Sequence, residues 1–498
     1  MDHLDAAHVA AILGGVGAAL ALLLRGRIPL TAGFALLAAA EAGLAYSLVP
    51  GADLRRIVDS PARVGLVVVL GLVLLGLGAA FARFPAVVPV AVLAAAPFRV
   101  PVTLGEQEAF LLLPLYAVLA GAILALHYRT LRAAELPDVP RVLAVPAAAF
   151  IGLSALSLLW TDDLRAGTIE LLFFLFPFAG LVAVVARSPI ATWLPKALAV
   201  TLVVFACGFA VIGISQLWTE NLYFARDLEV SNAYTSYFRT TSLFADSSIY
   251  GRQLVVAIVV LVAALWLTRV RLWAGAALIA LLWAGLYFSY SQSSMVALVA
   301  AVLVLSLVAA DRVSRRVLLA GTLVIAIAAA GIVVVTVRGD SAQRFTSGRS
   351  TLVQGTWRVF ADHPVVGVGV GAQASATKQE GGRKKKEKNT SHTTPLTVAA
   401  ELGVLGLAMY IALLAGAARL LVSVFRQSRA LGLGLGSAFL LLFVHSLFYS
   451  GFFEDPLMWG ILAVAAAAVI RVAEPVEVVE PARERVSAAG PGEPTPAP

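Results

Sequence analysis

Apolar runs of the roughly 20 residues needed to cross a bilayer recur along almost the whole chain, and nothing else in the sequence constrains its fold as strongly. A soluble core has no room for so many uninterrupted apolar stretches, and a membrane β-barrel would alternate apolar and polar residues instead. With 60% hydrophobic and only 13% charged residues over 498 positions, and a mean hydropathy of +0.90, the chain reads as an all-α polytopic membrane protein. Runs near 8–24, 28–49, 64–82, 85–97, 109–127, 142–160 and 168–186 form an N-terminal half. Further runs near 191–215, 253–268, 272–289, 293–310, 317–337, 396–418, 431–449 and 456–470 follow. Short interrupted runs such as 85–97 leave the expected total at about fourteen spans, within about twelve to fifteen.

The formal charge of +8 would suggest nucleic acid in a soluble protein. Here the basic residues sit mostly in short loops between apolar runs, as the positive-inside rule expects, so no nucleic-acid partner is read from them. The loops carrying Arg25 and Arg27, residues 127–132, residues 187–196, Arg269 and Arg271, residues 312–316, and Arg426 and Arg429 fall on one side if spans alternate. That side is cytoplasmic. Two long hydrophilic segments, 217–252 and 338–395, then share the opposite, extracytoplasmic face. The single Cys207 lies in an apolar run and reads as a small hydrophobe. The first run lacks a basic leader and a cleavage site, so it reads as a retained helix. The tail, 471–498, is rich in Pro, Glu and Ala and reads as disordered and cytoplasmic.

Three stretches on the outer face carry candidate chemistry. In YFRTTSLFADSSIYGRQL, Arg239 precedes small hydroxylated residues, Asp246 and the following serines are suited to cap a helix, and Arg252 falls in its first turns. Two guanidiniums at the mouth of a membrane helix would hold a phosphate or diphosphate as planar bidentate donors; the alternative is an Arg239–Asp246 pair with Arg252 marking the interface. In RFTSGRSTLVQGTWRVFADHPVVGVGVG, the spacing of Leu352, Val353, Trp357 and Phe360 predicts a surface-lying amphipathic helix over 350–361, flanked by Arg344, Arg349 and Arg358. His363 is expected to turn the chain at its end. The glycine-rich string after it lacks the surroundings of a nucleotide fold and reads as a closely packed loop.

The third stretch, SHTTPLTVAAELGVLGLAMY (391–410), brings His392 and Glu401 to the start of a membrane helix, where ionisable groups are expensive and therefore a functional signal. A histidine there can take a proton from an attacking hydroxyl. The lysine-rich run KQEGGRKKKEKN (378–389) reads either as a solvated strand or as a loop drawn to anionic headgroups. No zinc spacing, P-loop or nucleophile elbow is present on the outer face, and the acidic pair Asp162–Asp163 lacks companions. No cofactor is implied, so the energy of a reaction must come from its substrate.

Read together, RTTSLFADSSIYGRQL (239–254), SGRSTLVQGTWRVFADHPVVGVGVG (347–371) and SHTTPLTVAAELGVLGL (391–407) resemble the bacterial O-antigen ligase and polymerase superfamily. The resemblance implies a helical membrane glycosyltransferase of the cytoplasmic membrane with its active site under an outer-face loop. It would move a glycan from an undecaprenyl-diphosphate carrier, with inversion and without metal, onto an acceptor hydroxyl of a glycan or lipid. On that pattern His392 activates the acceptor, Arg239 and Arg349 bind the diphosphate, Arg344 and Arg252 assist, and Glu401 supports the site. Two positions depart from it: Gln292 stands where many relatives have an arginine, and Thr393 where an asparagine usually follows the histidine. The implied organisation is N-terminal helices over 1–216, a catalytic membrane region over 217–470 with outer loops 217–252 and 338–395, and the tail. A polymerase joining lipid-linked repeat units stays open beside the ligase. A transporter or flippase would account for Glu41, Glu170 and Glu401 but should show repeated halves.

Overall fold

A computed structural model of the chain describes residues 3–49, 61–104, 107–132, 136–234, 237–267, 271–309, 349–381 and 393–473. Ten of the described helices are long and apolar enough to cross a membrane, and four shorter apolar helices accompany them, so the protein is an all-α polytopic membrane protein. The run expected at 317–337 lies outside the described residues, as does most of the tail. One feature departs from the all-helical expectation: an antiparallel hairpin pairs Val100–Leu104 with Gln107–Leu111, and the membrane helix after it starts at Leu113.

Burial separates lipid-facing helices from central ones. Only 11% of the Val64–Arg83 span is buried, whereas 72% of the Leu164–Val185 span is. The first turns a row of Val and Leu outward, as a helix bathed in lipid tails can; the second is walled in by protein. That central span changes pitch midway, running as an α-helix over Leu164–Glu170, a π-helical turn over Leu171–Leu175 and an α-helix again over Phe176–Val185. The wider turn loosens the regular ladder, and the Tyr116 hydroxyl donates to the Phe173 carbonyl at 2.6 Å.

The first two helices, His3–Leu23 and Arg27–Leu48, pack through small residues. A Cβ at Gly17 would stand 2.8 Å from the Gly33 carbonyl oxygen, and one at Gly33 would stand 2.9 Å from the Ala21 nitrogen. Without a hydrophobic force between helices in lipid, such close backbone approach is what holds a pair together. Arg187, expected as a loop charge, is buried instead. It donates to the carbonyls of Ala183 (2.9 Å) and Leu24 (3.1 Å), closing the ends of two helices.

Candidate active site

Six segments that are far apart in sequence meet at one end of the bundle. They are the helix-connecting residues 157–163, the 239–252 segment, residues 288–294, the glycine loop 363–373, residues 400–403, and residues 445–455. Each is tied to another by bonds described below. With the spans alternating, this is the end opposite the short basic loops.

The glycine loop and the last long hydrophilic-to-membrane junction interlock. The helical stretch Thr394–Gln427 is broken at Gly403, whose φ of 64° and ψ of −161° are far from helical. A break leaves backbone groups without helical partners, and at membrane depth they must be satisfied by protein. The loop supplies the partners: Val404 N donates to the Pro364 carbonyl (2.8 Å), Val368 N to Ala400 (3.0 Å) and Gly369 N to Glu401 (2.9 Å). Gly367, Gly369 and Gly371 all have positive φ. A Cβ on them would run into the backbone at Glu401, at Thr161 and at Gly167 respectively. The loop is also pinned on its other side, with Val370 N donating to the Ser157 hydroxyl oxygen (3.0 Å) and Thr161 Oγ1 donating to the Val370 carbonyl (2.9 Å). The strings HPVVGVGVG and ELGVLGL are thus two halves of one lock.

Glu401 sits buried inside that lock, and its carboxylate faces the backbone N–H of Gln373 at 3.4 Å. The surface helix expected over 350–361 is present as Arg349–Asp362, with Val359 buried and Trp357 exposed. His363 ends it as expected: its carbonyl accepts from Gly367 N at 3.1 Å. A second short helix, Gln373–Gly381, takes in the start of the lysine-rich run. His392 and Arg344 lie outside the described residues. For Arg349 the backbone is described, as the first residue of its helix, and the side chain is not.

The two remaining predicted arginines are brought into one neighbourhood. Arg239 donates from Nη2 to Ser247 Oγ at 2.6 Å, so its described partner is the helix-start serine rather than Asp246. Asp246 caps the Ser247–Leu267 helix, accepting from Ser248 N (2.6 Å), and also accepts from the Tyr449 hydroxyl (3.2 Å). Arg252 lies 6.0 Å from the centre of the Tyr449 ring and is buried against Asp455, with Nε 2.9 Å from Oδ2. Asp455 also caps the last helix by accepting from Leu457 N (2.9 Å). Beneath them is a hydroxyl-rich layer: Ser291 donates to Ser294 (2.8 Å), and Ser293 lies 3.1 Å from His445 Nε2. Gln292, the position that departs from the arginine of many relatives, is exposed at the start of its helix.

Two further groups complete the electrostatics. Burial pushes the Tyr449 phenol up, and the Asp246 carboxylate adds to that shift. Glu454 keeps an open face to solvent but is recessed among the converging segments. That desolvation holds its carboxyl above the usual carboxylate range, with Arg99 and then Arg252 pulling it down and Asp455 pushing it up. Sequence reading passed over Glu454, Asp455 and Arg99. The signal was there in FFEDP: an acidic pair at the mouth of a membrane helix is as costly as the Glu401 that drew attention.

Directly below the Arg252–Asp455 pair begins an apolar groove of about 950 Å³. Val256, one turn after Arg252, and Pro456, next to Asp455, stand among its wall residues; Val260, Leu202 and Leu435 continue it, and Lys196 lies at its wall as well.

Compared with known families, residues 277–411 match the family model described as O-antigen ligase. The matched stretch takes in the second and third of the three segments that carried the resemblance and stops short of the first, 239–254. It supports placing the chain in the O-antigen ligase and polymerase superfamily, with a function of that type in surface-polysaccharide biosynthesis. No curated protein matches the chain.

Proposed function

We propose, with that family match as the premise, that the protein is an inverting glycosyltransferase acting at the outer face of the bacterial cytoplasmic membrane. It transfers a glycan from undecaprenyl diphosphate to an acceptor hydroxyl. The observation that carries this reading is the stacking of an arginine-bearing, hydroxyl-rich mouth, containing Arg239 and Arg252, on an apolar groove that begins one helical turn beneath it. A prenyl diphosphate has the same two-part chemistry: a dianionic head that needs cations and donors, and a hydrocarbon tail that needs an apolar channel.

In this reading the acceptor oxygen attacks the anomeric carbon from the face opposite the diphosphate while the bond to the diphosphate oxygen breaks. The acceptor proton passes to His392, which contributes as a general base. The departing bond pair leaves with the diphosphate, and Arg239 and Arg349, helped by Arg344 and Arg252, offset the charge that grows on it. Glu401 supports the site by fixing the glycine loop against the broken helix. The reaction needs no metal and no external energy source, because the glycosyl diphosphate is already activated. The region 217–470 houses this chemistry and helices within 1–216 serve as its membrane scaffold.

The test is transfer in reconstituted membranes from an undecaprenyl-diphosphate glycan, with EDTA present throughout. Intact protein should form a glycosidic product; His392→Ala and Arg349→Ala should lose it by about a hundredfold or more while staying folded. The acceptor found in the product distinguishes ligase from polymerase. Undiminished turnover in both variants would remove the residue assignment, and movement of lipid across the membrane without any product would make the protein a transporter.

A further inference from the structure

The turn Arg239–Ser242 is held more rigidly than a loop that merely connects two helices requires. Asn232 grips Arg239 from both sides, its amide donating to the Arg239 carbonyl (3.0 Å) and accepting from Arg239 N (3.1 Å). Thr240 N donates to the Phe288 carbonyl (3.0 Å). Gln216, fully buried near the end of its membrane helix, then makes three bonds to the turn. Its Oε1 accepts from Thr241 N (3.1 Å) and Ser242 N (2.8 Å), and its Nε2 donates to the Ser242 carbonyl (3.0 Å). Those bonds fix Ser242 at a φ of 54°, a left-handed conformation that non-glycine residues rarely adopt.

The backbone of the turn is therefore satisfied, and the side chains are not. Thr240, Thr241 and Ser242 are each fully buried, and their hydroxyls have no hydrogen-bond partner among the described residues; Arg239 Nε is likewise buried and unpartnered. Four buried donors on four consecutive residues, all left unsatisfied on a strained and over-determined backbone, are a standing expense to stability. Such an arrangement is retained where a ligand supplies the missing acceptors.

We propose that Arg239, Thr240, Thr241 and Ser242 form a preorganised cradle for phosphate oxygens, with Gln216 as the positioning residue that holds it in shape. This deepens the donor reading above and rests on it for the identity of the anion, a prenyl-linked diphosphate. Hydroxyls add what a second arginine would not: they donate without adding charge, so the diphosphate is held by direction as well as by Coulomb attraction and can be released after the sugar has left.

The test is equilibrium binding of farnesyl diphosphate to the full-length chain in lipid nanodiscs, with farnesol as the uncharged control. The intact protein is compared with Thr240→Val/Thr241→Val/Ser242→Ala and with Thr241→Ser. The triple variant should bind farnesyl diphosphate about tenfold or more weakly, with farnesol unaffected and Thr241→Ser near intact. Its melting temperature without ligand should be unchanged or raised, since desolvated hydroxyls have been replaced by methyl groups of similar shape. Equal affinity for the diphosphate in the triple variant overturns the proposal, and so does a lowered melting temperature, which would make the hydroxyls structural. The transfer assay separates this idea from the reading beneath it. Hydroxyl-dependent diphosphate binding without any glycosidic product leaves the cradle standing and removes the transferase, while transfer with an unaltered KM for donor in the triple variant does the reverse.

Discussion

The first helix pair and the interlocked glycine loop both depend on glycine, for opposite reasons. In His3–Leu23 and Arg27–Leu48 the glycines have ordinary helical backbones and matter only because they let two helices touch. In the loop and at Gly403 they matter because the backbone itself turns left-handed and because its polar groups must reach those of a broken helix. The first arrangement is packing, which can relax by degrees. The second is a set of hydrogen bonds at fixed positions, with little slack. The candidate site is built on the second kind, so it should be the more brittle half of the protein.

The sharpest way to break that contrast is Gly403→Ala. The new methyl meets the Val365 carbonyl on a residue at positive φ, and neither can retreat without undoing the lock. A loss above about 4 kcal/mol is expected, which for a protein of ordinary stability means little folded material on size-exclusion chromatography in detergent. Gly71→Ala is the matched control: its Cβ would meet nothing within 4 Å, so it should be neutral or gain up to about 1 kcal/mol. Equal yields from both variants would mean that the lock is no more rigid than a lipid-facing helix.

Next in size is the Arg252–Asp455 pair, which supplies the mouth of the site with charge held by charge. Arg252→Met leaves a buried carboxylate alone and should cost about 3–5 kcal/mol, and the double variant with Asp455→Leu should recover most of that. Thermal melts of the two variants read this directly. Glycan transfer gives the complementary reading, since the double variant restores stability without restoring a guanidinium. If the single variant melted like the intact protein, the pair would be an ornament of the fold.

Gly33→Ala tests the packing half. The added methyl meets backbone at Ala21 N and Gly17 O rather than a flexible side-chain end, so overpacking of about 1–3 kcal/mol outweighs the helix-propensity gain. Transfer per folded molecule should stay at the intact level, because the strain lies in helices remote from the converging ends. A drop in activity without a drop in stability would show that the two halves are mechanically coupled.

The same contrast explains what the sequence made legible. Membrane helices announce themselves residue by residue, so the apolar helices and the amphipathic helix Arg349–Asp362 could be read from local pattern. Asp246 as a helix cap and His363 as a turn were equally local. The π-helical turn at Leu171–Leu175 and the break at Gly403 could not, because each depends on a distant segment to receive the freed backbone groups: Tyr116 for the first, residues 364–369 for the second. Arg252 was visible as a cation but not as one already paired, since Asp455 lies about two hundred residues away and only the fold joins them. Arg187 failed for the same reason, its carbonyl partner Leu24 being at the far end of the N-terminal half.

The smallest expected effect belongs to Glu454, and its value is that it reports on the mouth rather than on the frame. Its carboxyl is raised above its unfolded range, chiefly by desolvation. Folding therefore favours the protonated form: the stability contribution is fully present below the unfolded carboxylate pKa near 4.3 and is lost as pH rises through the higher folded value. Around it stand Arg99, Arg252, Asp455 and Tyr449, with Glu401 and Glu170 close enough to interact electrostatically. Glu454→Gln should match the intact protein at low pH and become the more stable of the two as pH rises above the unfolded carboxylate range. Because the side chain opens to water, the gap should stay under about 1 kcal/mol. Melting temperature against pH for the two proteins is the measurement. Curves that stay parallel across the range would mean that Glu454 is solvated like any surface carboxylate and that the recess does not exclude water. Curves that diverge in the opposite sense would mean that Arg99 and Arg252 outweigh burial, making the mouth more cationic than its desolvation implies and better suited to a diphosphate.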